Sequence, residues 1–153
     1  TSLSVWEMNY LVGKIKFKDV MTRSVLTVSG ATPIEEAARM MVDNKVGGLP
    51  VMNDDQLVGV ITESDLFKVL LELMGARETA VRLTAVIRDL PGELEKLTHA
   101  IAQAGGSFLS FGQFNGDDDA NRMVTFKVSG MDETTTRQLI APLVVEITDL
   151  RTI

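Results

Sequence analysis

Gly59-Val60-Ile61-Thr62-Glu63-Ser64-Asp65 is a short apolar run that passes through one hydroxyl residue into an acidic turn. Its apolar residues predict a buried strand. Beyond it Leu66, Val69, Leu70, Leu73 and Met74 recur at helical spacing, which predicts a helix from Leu66 to Met74. A strand that delivers Thr62 and Asp65 to a helix start gathers a hydroxyl, a carboxylate and unpaired backbone N–H groups, a combination suited to a sugar or a phosphate. The same Thr62-x-x-Asp65 spacing also caps a helix for local reasons alone, so the flanking sequence decides its meaning.

Working outward, Thr32-Pro33-Ile34-Glu35 supplies an N-cap, a proline at the first helical position and a reciprocal acid. Ile34, Ala37, Ala38, Met41 and Val42 then fall on one helical face. Val25 to Val28 reads as a strand stopped by Ser29-Gly30, and Val46 to Met52 as a glycine-loosened entry into another. Asn53-Asp54-Asp55 turns that strand back into Leu57 to Thr62. Near the start, Ser4-x-x-Glu7 is a capping box for a helix that Gly13 ends. Trp6 and Tyr10 lie on one face of that helix, where a packing role is expected. The order of elements is strand, helix, strand, hairpin strand, helix.

Composition limits what such a chain does. Its 153 residues allow one domain or two small ones, and a net charge of −6 without a basic stripe disfavours nucleic acid and anionic membrane as partners. With no cysteine and one histidine, disulfides, thiolate metal sites and histidine dyads are excluded or unsupported. No apolar run approaches the roughly 18 residues of a membrane span, and the first residues do not read as a signal peptide, so a cytoplasmic location is expected.

At Asp19-Val20-Met21-Thr22, Thr27-Val28, Thr32-Pro33, Gly48-Leu49-Pro50-Val51 and Gly59-x-Ile61-Thr62-x-x-Asp65, the chain resembles a cystathionine-β-synthase-type (CBS) domain. The resemblance implies a β-α-β-β-α domain over residues 18–75 and a cleft for an adenosine compound such as AMP, ADP, ATP or S-adenosylmethionine. By motif, Asp65 would hold ribose hydroxyls and Thr62 a phosphate or the ribose, while Thr32, Val46, Gly47 and Gly48 would line the adenine side. The chemistry is consistent: a carboxylate accepts from two vicinal hydroxyls, and glycine lets a flat base approach the backbone. No arginine or lysine is expected beside this site, which ranks ATP below AMP.

The family works in pairs of repeats, and one repeat is read here. The segment from Leu3 to Lys18 resembles the helix that follows a first repeat in acetoin-utilisation B-type regulatory proteins, so residues 1–17 are expected to be a helix and connector preceding the domain. That resemblance would make the chain a truncated form or one lacking its first repeat. Phe67 and Leu71 give the helix ending at Met74 a second apolar face, expected to pack on another chain.

After the polar break Gly75-Ala76-Arg77-Glu78-Thr79 the pattern restarts. Val81, Leu83, Ala85 and Ile87 alternate with Arg82, Thr84 and Arg88 as a half-buried strand. Asp89-Leu90-Pro91-Gly92-Glu93 turns it into a helix bearing Leu94, Leu97, Ile101 and Ala104, closed by Gly105-Gly106. Strands at Ser107 to Phe114 and Arg122 to Val128, a helix after Asp132 and a strand from Val144 complete β-α-β-β-α-β, which fits an antiparallel sheet with helices on one face.

Through Asp89-Leu90-Pro91-Gly92-x-Leu94 and Gly105-Gly106, residues 80–153 resemble an ACT domain with a ferredoxin-like fold, so the class expected for the chain is α+β. That resemblance implies edge-to-edge pairing, hence a homodimer, and an amino-acid ligand. Asp89 would meet its ammonium, the backbone of Leu90, Pro91 and Gly92 its carboxylate, and Ser107 would bond across the interface.

Other residues point to less. His99 reads as helix surface, Asp117-Asp118-Asp119 as a solvated turn without calcium-loop spacing, and Met40, Met41 and Met52 as adaptable core. No activated nucleophile, metal constellation or phosphate loop is present, so the expected function is regulatory rather than enzymatic, with no cofactor beyond a regulatory ligand such as AMP. The competing readings are a structural dimerisation module with empty clefts and an enzyme using Asp65, Glu63 or Asp89 as acid or base.

Overall fold

The computed structural model describes residues 4–117 and 119–153. Leu3, at the head of the N-terminal segment, and Asp118, in the aspartate loop, lie outside the described residues. The chain divides into two compact units, with the cut between Glu63 and Ser64.

In the first unit, α1 (Val5–Val12) starts with the expected capping box. Ser4 Oγ accepts from the Glu7 N–H at 3.3 Å, and the Glu7 carboxylate accepts from the Ser4 N–H at 2.8 Å. The packing role of Trp6 and Tyr10 is not seen: they are 86% and 64% exposed, and α1 buries no residue. Helical spacing puts two rings on one face but does not supply anything to cover them. A single turn, α2 (Phe17–Val20), follows, with the Lys16 N–H donating to Asp19 at 3.1 Å.

Strand β1 (Val28–Ser29) is shorter than Val25 to Val28 because its register with the next strand holds only Val28 against Val51 and Ser29 against Met52. A helix, α3 (Ile34–Asn44), crosses over to the parallel β2 (Gly48–Asn53), which turns at Asp54-Asp55 into the antiparallel β3 (Gln56–Thr62). The sheet order is β1-β2-β3. The core here is Val28, Ala37, Met41 and Leu49. Val42, expected on the inner face, is 76% exposed because the stripe centres on Ala37 and Met41 and turns Val42 outward.

Thr32 is not the cap of α3; Pro33 occupies that position. The Thr32 N–H donates to the Ser29 carbonyl at 3.1 Å, and Thr32 Oγ1 accepts from the Ser29 N–H at 3.1 Å. That turn folds the hydroxyl back onto Ser29 before the helix begins. The next helix, α4 (Glu63–Leu73), starts directly after Thr62, where the Thr62-x-x-Asp65 spacing places a helix start, and carries Glu63 and Asp65 in its first turn, where acidic side chains are favoured.

The second unit carries β4 (Val81–Arg88), α5 (Glu93–Gln103), β5 (Ser107–Asn115), β6 (Asn121–Ser129), α6 (Glu133–Ile140), a 3-10 turn at Ala141–Leu143 and β7 (Glu146–Thr152). The strands pair antiparallel in the order β5-β6-β4-β7, the split β-α-β arrangement expected from the element order. Val81, Leu83, Ala85 and Ile87 of β4 meet Val124, Phe126 and Val128 of β6 under Leu97 and Ile101 of α5 and Ile140 of α6. The chain is thus a mixed α+β protein with two sheets.

Two details differ from the alternation. Thr84, expected outward, is buried and shares a 3.0 Å hydrogen bond with the buried Thr125, because β4 is a central strand whose second face is also crowded. Val144 precedes the last strand, which begins at Glu146.

On that second face Asp149 is held by two arginines. Arg151 Nε and Nη2 reach its Oδ1 at 2.8 and 2.5 Å, and Arg82 Nη1 reaches Oδ2 at 2.8 Å. Hydrogen bonding from Arg151 first, then its charge and that of Arg82, hold the Asp149 carboxyl below its ordinary range. A depressed carboxyl stabilises the fold above the unfolded value, near about pH 4, and that contribution is lost as pH falls through the folded value. Asp149→Asn is therefore expected to narrow the stability gap between pH 7 and pH 3 in denaturant unfolding. An unchanged gap would show that the pair is fully screened.

Candidate functional site

The end of α3 sets the first site. Lys45 takes a left-handed conformation with φ 54°, and the Val46 N–H donates to the Met41 carbonyl at 3.0 Å. This helix-ending turn aims the chain into Gly47-Gly48 and β2. Gly48 pairs with Thr62 across the hairpin. A Cβ at Gly48 would stand 3.2 Å from the Ile61 carbonyl oxygen and 3.5 Å from Thr62 Cγ2, so the two strands approach where glycine leaves room. The Gly47 carbonyl accepts the Glu63 N–H at 3.1 Å, pinning the first residue of α4. Val46, Gly47, Gly48 and Thr62 thus come together where β3 becomes α4.

Asp65 lies in the first turn of α4, half-buried, with Lys68 Nζ 3.0 Å from its Oδ1. The expectation that no basic residue stands beside this carboxylate is corrected: Lys68 sits one helical turn on, at a spacing legible in the sequence.

Thr32 does not join the group. Ser29 pairs with Met52 at the far end of β2 from Gly48, roughly 13 Å along the strand at the usual rise, and Thr32 folds onto Ser29. Thr32 instead borders an open hollow of about 410 Å³ with Thr27, Ser29, Glu36, Met40, Met52 and Asp54. Arg39 hydrogen-bonds Glu36 and holds its carboxyl below the ordinary range. Of the three methionines read as core, Met41 is buried, while Met40 and Met52 line this hollow.

The second site forms where β4 runs into α5. Gly92, at φ 90°, occupies the left-handed region that the turn into the helix requires. The Asp89 N–H donates to the Ala120 carbonyl at 2.8 Å, which fixes the turn to the loop before β6. Asp89 is already paired: Arg122 Nε and Nη2 reach its Oδ2 at 2.9 and 2.8 Å, and Arg122 also bonds Asn115 Oδ1. Sequence reasoning missed Arg122, because nothing local ties it to a residue in another strand.

Around this turn lies a cavity of about 890 Å³, walled by Arg88, Asp89, Leu90, Glu93, Lys96, Ala120 and Asn121 and by the stretch Pro142 to Val145. Ser107 is elsewhere. It pairs with Ser129 at one end of β6, whereas Asn121 at the other end pairs with Arg88, a separation of roughly 26 Å at the usual rise. Within one chain Ser107 cannot meet a ligand at Asp89, so its expected role requires a second chain.

His99 is exposed on α5. Among the described residues no three acidic or histidine side chains group to hold a metal ion, and no helix is long and apolar enough to cross a membrane.

With this geometry in view, comparison with known proteins identifies the segment in which these residues lie. The CBS domain family matches residues 17–72, a segment running from α2 through nearly all of α4, and that segment is a CBS domain, a regulatory module. An inosine-5'-monophosphate dehydrogenase of Thermoplasma acidophilum is 42% identical over 57 residues, 37% of this chain and 12% of that enzyme. An uncharacterized protein of Methanocaldococcus jannaschii is 41% identical over 59 residues, 38% of this chain and 35% of its own length. A homoserine O-acetyltransferase of Methanosalsum zhilinae is 39% identical over 71 residues, 43% of this chain and 14% of that enzyme. The chain therefore spans well under two thirds of each of these relatives, and the two enzyme matches cover small fractions of the enzymes.

Proposed function

We propose that this chain is a non-catalytic regulatory protein in which the CBS domain senses an adenosine compound and an ACT domain, residues 80–153, dimerises the chain and binds an amino acid. The observation that carries the reading is the convergence of Val46, Gly47, Gly48 and Thr62 at the start of α4 inside a CBS segment. CBS domains typically bind adenosine ligands, and a carboxylate in the first turn of α4 supplies acceptors for two ribose hydroxyls. Lys68 beside Asp65 offers a cation to a phosphate, so charge does not rank AMP over ATP. The β-α-β-β-α-β order and the Asp89-Leu90-Pro91-Gly92 turn support the ACT assignment. Exposed Phe67, Leu70, Leu71 and Leu73 on α4 support a second copy as its cover. A cytoplasmic regulator linked to acetoin utilisation remains the whole-protein reading, carried by resemblance alone.

Asp65→Ala tests the adenosine site cleanly. Its pair with Lys68 is largely solvent-exposed and contributes at most about 0.5 kcal/mol, and circular dichroism checks that the variant keeps its fold. Thermal-shift scans with AMP, ADP, ATP and S-adenosylmethionine at a hundred times the dissociation constant should stabilise the wild type by about 2.7 kcal/mol. That gain should vanish in Asp65→Ala. Equal stabilisation of both proteins would remove Asp65 from the site, and no shift from any nucleotide would favour a structural dimerisation module. A light-scattering mass of one chain would rule out the dimer.

A further inference from the structure

The helix that carries Asp65 is tied at its far end to the sheet of the second unit. The CBS match runs on to residue 72, but the compact unit that contains α4 from Ser64 onward is the second one. Along its length α4 buries none of its 11 residues. A helix so short and without a buried face is marginal in water, so its ends decide whether it stays formed. Its last turn closes at Gly75, whose φ of 57° is that of a left-handed helix-ending residue. There the Gly75 N–H donates to the Glu72 carbonyl at 3.0 Å and the Ala76 N–H to the Leu71 carbonyl at 2.9 Å. The carbonyls of Gly75 and Glu78 in turn accept from Lys127 Nζ at 2.9 and 2.7 Å. Lys127 is buried on β6, so residues 75–79 form a strap fastened to the sheet by one ammonium.

Against this tie stands Ser110. Strand register sets it opposite Lys127, and its Oγ is buried with no hydrogen-bond partner among the described residues. A Cβ on Gly75 would stand 3.7 Å from that oxygen, so the strap lies over it. A buried hydroxyl without a partner favours the arrangement in which water reaches it. One residue therefore holds the strap closed while its cross-strand neighbour biases it open.

We infer that Lys127 is a positioning residue for Asp65, so that occupancy of the ligand site and closure of the strap favour one another, an inference that rests on the adenosine reading of Asp65. The strap begins roughly 15 Å along the helix from Asp65 at the usual rise, so Lys127 acts through α4. A ligand held by Asp65 needs the first turn of α4 formed. Helix formation is cooperative over so few residues, so fraying at the last turn lowers the competent fraction and the apparent affinity with it. Coupling of this kind is reciprocal, and a bound ligand keeps the strap shut.

Limited trypsin digestion of the full chain at one concentration tests this, with cleavage after Arg77 in the strap and after Arg137 in α6 followed by mass spectrometry. AMP and ATP are the probes, and calorimetry on the same preparations gives their affinities. Saturating nucleotide should slow cleavage after Arg77 at least about fivefold, the low end of coupling between linked sites, and leave Arg137 unchanged. Ser110→Ala, which removes the unpartnered hydroxyl, should slow Arg77 cleavage about fivefold or more without nucleotide and tighten nucleotide binding. Lys127→Met should act in the opposite direction on both, and nucleotide should no longer protect Arg77, with circular dichroism confirming the fold. A purely structural Lys127 would lower stability and leave nucleotide affinity at the wild-type value, which overturns the inference. Nucleotide binding that leaves wild-type Arg77 cleavage unchanged overturns it too, while the adenosine site stands. If neither AMP nor ATP binds, the adenosine reading fails and the coupling with it.

Discussion

Phe126→Ala is expected to destabilise the second unit by about 3–5 kcal/mol, the cost of emptying a buried aromatic site. Phe126 is 1% exposed, at the centre of the cluster shared by β4, β6, α5 and α6. Its ring meets Phe108 edge-on at 5.4 Å and stacks on Phe111 at 6.2 Å, which adds aromatic contact to the area it buries. The site has little freedom to collapse, because its neighbours Val124 and Val128 are fixed by strand pairing on both sides of β6. Denaturant unfolding followed by circular dichroism measures the loss. A change below about 1 kcal/mol would mean that Phe108 and Phe111 refill the space and that the cluster is loosely packed.

Lys127, the next residue on the same strand, points to the opposite face and should give the second large effect. It is 3% exposed, and its Nζ donates to the carbonyls of Gly75 at 2.9 Å, Glu78 at 2.7 Å and Ile153 at 3.4 Å. The ammonium thus ties the stretch after α4 and the last residue of the chain to the sheet. Gly75, beside it, has φ 57°, so a side chain there would be strained, while a Cβ would meet Lys127 Cδ and Ser110 Cβ at 3.6 Å in ordinary contact. Replacing Lys127 by methionine keeps the volume and leaves the carbonyls without their charged donor. An orphaned buried acceptor costs about 1–3 kcal/mol, set against the several kcal/mol that burying an ammonium cost the wild type.

Removing one partner of such a group leaves the other unpaired, so the expected net loss in Lys127→Met is about 2 kcal/mol. Arg77 lies within the tethered stretch, which makes trypsin a local probe. Cleavage after Arg77 should accelerate roughly 30-fold if opening of this stretch follows that free energy. Unchanged cleavage and unchanged stability would show that water replaces the ammonium at no cost.

Which features were legible in the sequence follows the range of the interaction behind them. The Ser4–Glu7 capping box and the Asp89-to-Glu93 turn into a helix each depend on a few adjacent residues and stand as read, and the hairpin read at Asn53-Asp54-Asp55 turns at Asp54-Asp55 with Asn53 closing β2. The alternation in β4 likewise marked which side of that strand forms the core. Lys68 beside Asp65 was equally legible, since helical spacing alone places it there, yet it was not read.

Errors arose where a local signal had two outlets. Thr32 has the chemistry of a cap, but a turn closing on Ser29 claimed its hydroxyl and left it about a strand's length from Gly48. Trp6 and Tyr10 share a helix face, and among the described residues both rings stay exposed, with Lys14 Nζ lying 4.3 Å from the centroid of the Tyr10 ring.

By itself, then, the sequence determined the two patterns of elements, most of their boundaries and the motif that marks the CBS domain, because backbone propensity, capping and periodicity act over one or two turns. Tertiary structure alone decided that Thr84, Thr125 and Lys127 are buried on the far side of their sheet, that Arg122 holds Asp89, and that Ser107 stands at the opposite end from it. These depend on strand register between residues distant in the chain, and register is settled only when the whole sheet packs.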